Sequence, residues 1–186
     1  YTEVEDNTGL ISRCVPGKKE NGAVFNHASS WFVLASIMND DIDFAYETYS
    51  KMLPTNSSKN IDRYEVEPYV FAEYITSPDH ETENQASHSW LTGTAVWMLR
   101  IGMDYICGFR TSLKGLIINP NIPSKWKSFS AHRNFRGKRI NLKVENPKGK
   151  YSGINLIEVN GNKVDSNFIN PEDFSEKEIN VRIVLG

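Results

Sequence analysis

The sequence has 186 residues, 39% hydrophobic and 11% aromatic, so it can bury one ordinary core or two small ones. Its 21 basic and 23 acidic residues leave a formal net charge of -2, which excludes a global field that would attract nucleic acid or an anionic membrane. No run approaches the roughly 18 apolar residues of a membrane span, and Cys14 and Cys107 are too few for a disulfide scaffold. We therefore expect a cytoplasmic protein with neither a membrane nor a nucleic-acid partner.

Apolar residues that recur every three or four positions predict helices in the first 108 residues. Polar capping residues and prolines set the predicted ends. A loop is predicted over 54–60, and the polar run 77–84 ends the third helix. The predicted helices cover 27–38, 41–52, 68–74 and 90–106.

Short β-rich runs replace the helical pattern after Gly108. Asn160 and Gly161 predict a hairpin, because both residues adopt positive φ at little cost. We expect an antiparallel sheet module, a sandwich or part of one, and an α+β fold overall. The predicted strands are SFSAHRNF, RINLKVE, INLIEVN and INVRIVL.

The first polar cluster is PGKKENGAVFNHA, which contains Lys18, Lys19, Glu20 and His27. Two interpretations are open for it. The charged residues can form a solvated turn, or they can line a pocket for a carbohydrate or an anion, since sugar hydroxyls require carboxylates, amides and ammonium groups. His27 lies at a predicted helix start, where the positive end of the helix dipole favours an anion.

Two further clusters also allow a structural and a functional interpretation. In SHSWLTGTAVW, Gly93 interrupts a predicted helix at a cost of about 1 kcal/mol relative to alanine. Close helix packing would explain it, and so would a backbone N–H that meets a ligand oxyanion beside the Thr92 hydroxyl. In YEVEPYVFAEY, Glu67 and Glu73 lie among aromatic residues, which suits a sugar ring or a core. No metal-ligand spacing is present.

Together these motifs resemble the C-terminal third of the inverting glycoside phosphorylases of the cellobiose phosphorylase family. The resemblance rests on PGKKENGAVFNHA, EPYVFAEY, SWLTGTAVWM, GLIINPNIPSKWKSF and FRGKRINLKVENP, which occur in register. It implies that residues 1–110 are the last helices of an (α/α)6 catalytic barrel. Residues 111–186 would then form a small antiparallel, jelly-roll-like β domain.

The resemblance also implies where phosphate binds. The FNHA-like histidine and the Thr-Gly pair of the family correspond to His27, Thr92 and Gly93. Inorganic phosphate is then a co-substrate, no metal or organic cofactor is needed, and attack on the anomeric carbon inverts its configuration to give α-glucose 1-phosphate. The implied reaction is reversible phosphorolysis of a β-glucosyl disaccharide.

Acceptor-sugar contacts are implied for Lys19, Glu73 and, more weakly, Glu20. The family's general acid is an aspartate that lies upstream of Tyr1, so the chain holds no catalytic residue of its own. Tyr1 opens the chain without a methionine and without a helix or strand start, so we expect an inactive fragment. Its partners would be the remaining domains of a homodimeric parent.

Two questions of specificity and function follow from this resemblance. Arg13 and Lys18 add positive charge beside the acceptor position, which favours an acidic acceptor such as that of cellobionic acid over cellobiose. Cellodextrin and other β-glucan phosphorylases stay open. A different class of function, a non-catalytic carbohydrate-binding module, is suggested by the C-terminal strands and the four tryptophans.

Overall fold

The computed structural model describes residues 1–57 and 59–186, which form two compact units. The first unit contains residues 1–35 and 47–99, and the second contains 36–46 and 100–186. Helices and sheets both occur, so the predicted α+β class is confirmed. The domain boundary between residues 110 and 111 stays a prediction.

Two of the predicted helices are confirmed. Helix α1 covers Asn26–Met38 and helix α2 covers Ile42–Met52. The loop predicted over 54–60 begins instead with one helical turn, α3 at Pro54–Ser57, because proline is well suited to the first turn of a helix. Ser58, in the same predicted loop, lies outside the described residues. A further turn, α4 at Ile61–Tyr64, was not predicted.

The helix predicted over 68–74 is wrong. Pro68 lies inside a turn in which the Val70 N–H donates to the Glu67 carbonyl at 3.1 Å. Proline is favoured at this position of a turn because its φ is fixed near the required value. The residues after the turn are extended and lead into a strand.

That strand belongs to a three-stranded antiparallel sheet in the first unit, where only helical hairpins were predicted. It consists of β1 (Val24–Phe25), β2 (Tyr74–Ile75) and β3 (Ala86–Ser87), in the order β1-β2-β3. The strands are too short to show an alternating pattern. Their pairing depends on backbone hydrogen bonds that no residue spacing reveals.

The helix predicted over 90–106 begins later than expected. Helix α5 covers Thr94–Arg100 and continues as a π-helix over Ile101–Ile106. Trp90 has a φ of 65°, which a right-handed helix excludes. Thr92 and Gly93 therefore precede the helix and do not interrupt it.

The second unit contains two sheets, and all four predicted strands are confirmed there. The five-stranded sheet has the order β6-β7-β11-β8-β9, and the three-stranded sheet has the order β10-β5-β4. The predicted Asn160-Gly161 hairpin joins β8 to β9 and is confirmed. The strands are β4 (Phe109–Thr111), β5 (Leu116–Ile118), β6 (Ser128–Phe135), β7 (Lys138–Glu145), β8 (Ile154–Val159), β9 (Asn162–Lys163), β10 (Phe168–Ile169) and β11 (Glu178–Leu185).

The prediction of a purely antiparallel module is wrong in one respect. Strand β11 lies between β7 and β8, parallel to β7 and antiparallel to β8. Because β7 and β8 run in opposite directions, any strand inserted between them is parallel to one of them. The larger sheet is therefore mixed.

Both sheets of the second unit contribute to one hydrophobic core. Phe109 and Leu116 come from the smaller sheet, Ile140 and Val181 come from the larger one, and all four are buried. Full burial of each such side chain contributes about 1.5–3 kcal/mol. This shared core fixes the two sheets as layers of one unit.

A buried asparagine organises the turn that follows β7. The Asn146 side chain is fully buried, and its amide N–H groups donate to the carbonyls of Trp126 at 2.9 Å and Lys150 at 2.7 Å. Its carbonyl oxygen accepts from the Lys150 N–H at 2.8 Å. One buried side chain thus binds three backbone groups of the surrounding turns.

We expect Asn146→Ala to lower the free energy of unfolding by about 2–4 kcal/mol, since it removes three hydrogen bonds made by a fully buried side chain. Urea denaturation monitored by circular dichroism measures the change. Asn134→Ala is the matched control, because Asn134 is exposed on β6, and its effect should stay within about 0.5 kcal/mol. Equal losses for the two variants would contradict this role of Asn146.

Candidate functional site

The small sheet of the first unit aligns three polar segments. The Asn26 backbone N–H donates to the Glu73 carbonyl at 3.1 Å, and the Glu73 N–H donates to the His88 carbonyl at 2.8 Å. The buried Asn26 side chain also donates to the Ala72 carbonyl at 2.8 Å. As a result, the start of α1, residue 73 and residue 88 lie side by side.

His27, the second residue of α1, faces Gly93. A Cβ atom placed on Gly93 would lie 3.2 Å from Cε1 and 3.5 Å from Nε2 of the imidazole ring. The His27 Nε2 is buried and has no hydrogen-bond partner among the residues that the structure describes. An unpaired buried polar atom costs about 1–3 kcal/mol, so this nitrogen is suited to a ligand.

The Thr92-Gly93 segment carries further polar groups, and its Gly93 lies next to His27. The Thr92 hydroxyl lies 2.6 Å from the Thr94 hydroxyl, and the Gly93 carbonyl accepts from the Trp97 N–H at 3.1 Å. A side chain at residue 93 would crowd the imidazole, so glycine gives the His27 ring room at this position. The structure thus brings together His27 and Gly93, which were singled out from separate motifs.

A tight turn positions Lys19. Gly17 has a φ of 77°, and a Cβ there would lie 2.7 Å from the backbone nitrogen of His80, so only glycine fits. The Gly17 N–H donates to the Asn21 carbonyl at 2.8 Å and closes the turn. Lys19 itself has a φ of 51°. The sequence Pro16-Gly17 therefore folds into a loop that holds this lysine in place.

Lys19, Glu73 and His88 form a charged cluster. The Lys19 ammonium lies 3.4 Å and His88 Nδ1 lies 3.5 Å from the same oxygen, Oε2 of Glu73. The Lys19 ammonium is also 5.2 Å from the centroid of the Tyr74 ring. His88 was not predicted as a neighbour of Glu73. Only the pairing of β2 with β3 places it there, and sequence spacing carries no sign of this pairing.

The remaining predicted residues lie outside these contacts. Arg13 ends the 3-10 helix Gly9–Arg13 and is exposed, and Glu20 is exposed with an oxygen 3.8 Å from the Cys14 sulfur. Lys18 is exposed and lines a cavity of about 350 Å³ together with Glu65 and His88. Of these three predicted residues, Lys18 therefore shares a cavity with His88 of the charged cluster.

Glu67 and Glu73 have different surroundings. The Glu67 carboxylate has its pKa lowered by its own backbone N–H and by the side chains of Ser89 and Trp90, which all donate to it. The indole N–H of Trp90 donates to Glu67 Oε1 at 3.0 Å. Glu67 is therefore held ionised by hydrogen bonds, whereas Glu73 contacts the Lys19 ammonium and the His88 imidazole.

Metal-binding clusters and membrane-spanning helices are both absent from residues 1–57 and 59–186. In that part of the chain, His, Cys, Asp and Glu residues form no group of three or more that could hold a metal ion. Every helix there is too short or too polar to cross a lipid bilayer.

Two known protein families match the chain, each over a different range of residues. The sequence profile of the Glycosyl hydrolase 94 superfamily, catalytic domain, matches residues 1–108. That of the Glycosyl hydrolase family 65, C-terminal domain, matches residues 109–164.

Several curated proteins are similar to the chain. N,N'-diacetylchitobiose phosphorylase of Vibrio furnissii is 35% identical over 186 residues, which are 100% of this chain and 23% of that protein. Solabiose phosphorylase of Paenibacillus borealis is 30% identical over 164 residues, 88% of this chain and 21% of that protein. Cellobionic acid phosphorylase of Neurospora crassa is 29% identical over 168 residues, which are 88% of this chain and 21% of that protein. The chain thus spans less than a quarter of these relatives.

We expect Gly93→Ala to displace the His27 imidazole, because the new methyl group would lie 3.2 Å from Cε1. The two-dimensional NMR resonances of the histidine ring should shift while the circular dichroism spectrum is unchanged. Ala95→Ser, which adds one atom at an exposed position on α5, is the control and should leave those resonances in place. Unshifted His27 resonances in Gly93→Ala would show that the ring does not pack on Gly93.

Proposed function

The chain belongs to the glycosyl hydrolase 94 superfamily, and on this premise we propose that it is part of an inverting glycoside phosphorylase. The motif resemblance to glycoside phosphorylases is confirmed by the family matches and by relatives that are named as disaccharide phosphorylases. The proposed parent reaction is reversible phosphorolysis of a β-glucosyl disaccharide to α-glucose 1-phosphate and an acceptor sugar.

One observation supports this proposal most directly: His27 Nε2 is buried, has no partner among the described residues, and faces Gly93. A phosphate oxygen would accept a hydrogen bond from the imidazole when Nε2 is protonated. The Thr92 hydroxyl and the Gly93 backbone N–H would contribute further donors. The first turn of α1, where His27 lies, adds free N–H groups and a positive dipole end.

The chemistry follows from what this site holds. In the proposed reaction a phosphate oxygen forms the bond to the anomeric carbon while the glycosidic bond breaks on the opposite face. The leaving oxygen takes a proton from a general acid that we assign to the upstream part of the parent chain. Because phosphate is itself the nucleophile, no carboxylate is needed to activate water. His27, Thr92 and Gly93 orient the anion and stabilise its charge.

The charged cluster is the proposed acceptor subsite. Lys19 and Glu73 would bind acceptor hydroxyls, with Glu20 at its edge. The Lys19 ammonium adjoins the carboxylate of Glu73 and offsets its negative charge, and His88 Nδ1 lies against the same carboxylate oxygen.

The positive charges around this cluster favour an acidic acceptor. Lys18 lines a cavity with His88, and Arg13 lies earlier in the same segment. An acidic sugar would bind this positive surface more tightly than a neutral sugar, since a carboxylate forms strong hydrogen bonds with guanidinium and ammonium groups. We therefore favour cellobionic acid over cellobiose as the substrate.

At the level of architecture, residues 1–110 would complete an (α/α)6 barrel, and residues 111–186 would be its jelly-roll-like C-terminal domain. The parent enzyme would be a cytoplasmic homodimer that needs inorganic phosphate and no further cofactor. The chain alone would be inactive, since the proposed general acid is not among its residues.

We expect the parent enzyme to release glucose 1-phosphate from its disaccharide only when phosphate is supplied. His27→Ala and Thr92→Val should each raise the KM for phosphate at least about tenfold, as expected for the loss of one hydrogen bond to a charged group. Coupled assay of glucose 1-phosphate measures this. His132→Ala, at an exposed histidine on β6, is the matched control. Equal turnover without phosphate would identify a hydrolase instead.

A second prediction concerns the acceptor. Arg13→Ala and Lys18→Ala should lower kcat/KM for cellobionate more than for cellobiose, because only cellobionate carries a carboxylate. The loss should shrink as ionic strength rises, since salt screens exposed charges. Lys148→Ala, at an exposed turn of the second unit, should affect both substrates equally. The same fractional loss for both substrates in all three variants would contradict an acidic acceptor.

A further inference from the structure

An exposed tryptophan beside the candidate site is held in one orientation by its edge. The Trp90 side chain is 72% exposed, and its indole N–H donates to Glu67 Oε1 at 3.0 Å. Within the described part of the chain, Trp90 makes no ring contact with another aromatic residue. The indole is therefore largely exposed while its N–H is held by Glu67.

The backbone around Trp90 is strained in a way that sets this orientation. Trp90 has a φ of 65° and His88 has a φ of 56°, and neither residue is glycine. The left-handed conformation costs a side chain on the order of 1–3 kcal/mol, and such residues cluster at ligand-binding sites. A regular helix or strand through residues 88–90 would direct the indole elsewhere.

Glu67 provides a hydrogen-bonding group next to the indole. Its carboxylate is kept ionised by its own N–H, by Ser89 and by Trp90, and it is solvent-accessible. Glu67 also begins the turn that contains Tyr69, whose ring is 70% exposed. A fixed indole face, an ionised carboxylate and a second exposed aromatic ring thus come from one turn and one loop.

We propose that Trp90 and Glu67 form a stacking subsite for a neutral pyranose ring, with Tyr69 exposed on the same turn as Glu67. A pyranose presents C–H groups on its faces and hydroxyls around its edge. The indole face matches the former, and the acceptor-only carboxylate matches the latter. An acidic ring would be repelled by Glu67, so this subsite selects a neutral sugar unit.

This inference rests on the proposed function and adds to it a place for one sugar. The loop that carries Trp90 has His88 beside Glu73 at one end and Gly93 against His27 at the other. A ring stacked on Trp90 therefore belongs to the same bound oligosaccharide as the groups that contact Glu73. Neither Trp90 nor Tyr69 is needed for phosphate binding in this arrangement.

The test uses the full-length parent enzyme with cellobiose and phosphate. Trp90→Ala should raise the KM for cellobiose about tenfold and leave the KM for phosphate unchanged. Trp90→Phe, which keeps a ring but loses the indole N–H, should give an intermediate value. Leu91→Ala is the matched control, because Leu91 is 67% exposed and adjoins Trp90, and it should have no effect.

A second measurement is independent of turnover. Cellobiose should protect part of the tryptophan fluorescence of the parent enzyme from quenching by acrylamide, and this protection should disappear in Trp90→Phe. If Trp90 is shielded from acrylamide without sugar, another part of the parent covers it and the inference is wrong. An unchanged KM for cellobiose in Trp90→Ala also overturns it, while phosphate-dependent turnover in that variant would leave the proposed function standing.

Discussion

The candidate site depends on main-chain hydrogen bonds among three very short strands. These bonds place Lys19 and Glu73, which are 54 residues apart in sequence, within 3.4 Å of each other. Strands of two residues have little stability of their own. The pairing is supported by the buried Asn26 amide, which reaches across 46 residues to the Ala72 carbonyl, and by a small core that includes Ala72 and Ala86. The polar groups of the site are therefore only as well ordered as this sheet.

Elements with a strong local pattern could be predicted from the sequence. Helices α1 and α2 have apolar residues at helical spacing, and β6, β7, β8 and β11 are β-rich runs, most of them alternating between buried and exposed positions. The Asn160-Gly161 turn could be predicted from its two residues alone. The predictions that were wrong lie where the local pattern indicated a different structure. Around Pro68 the apolar and aromatic residues have a helix-like spacing, yet the proline lies inside a turn and the chain then enters β2, which pairs with β1 and β3.

For the site, the sequence indicated which residue types take part but not how they are arranged in space. Histidine at a helix start and glycine beside threonine indicated an anion site, and the structure places the His27 ring against Gly93. The contact of His88 with Glu73 and the orientation of Trp90 depend on positive φ angles at residues that are not glycine. The sequence does not predict such angles here, because positive φ is expected mainly at glycine and asparagine. Positions that break local rules in this way are where the structure adds most.

The insertion of β11 between β7 and β8 has a consequence for biosynthesis. During translation the ribosome produces β7 and β8 well before β11, and the two earlier strands cannot pair with each other in the native arrangement. Their unpaired edges stay open until residues 178–185 emerge and fill the gap. The five-stranded sheet therefore cannot form before β11 has been synthesised, and deletion of residues 178–185 would leave the pairs β6-β7 and β8-β9 with unpaired edges that are prone to aggregation.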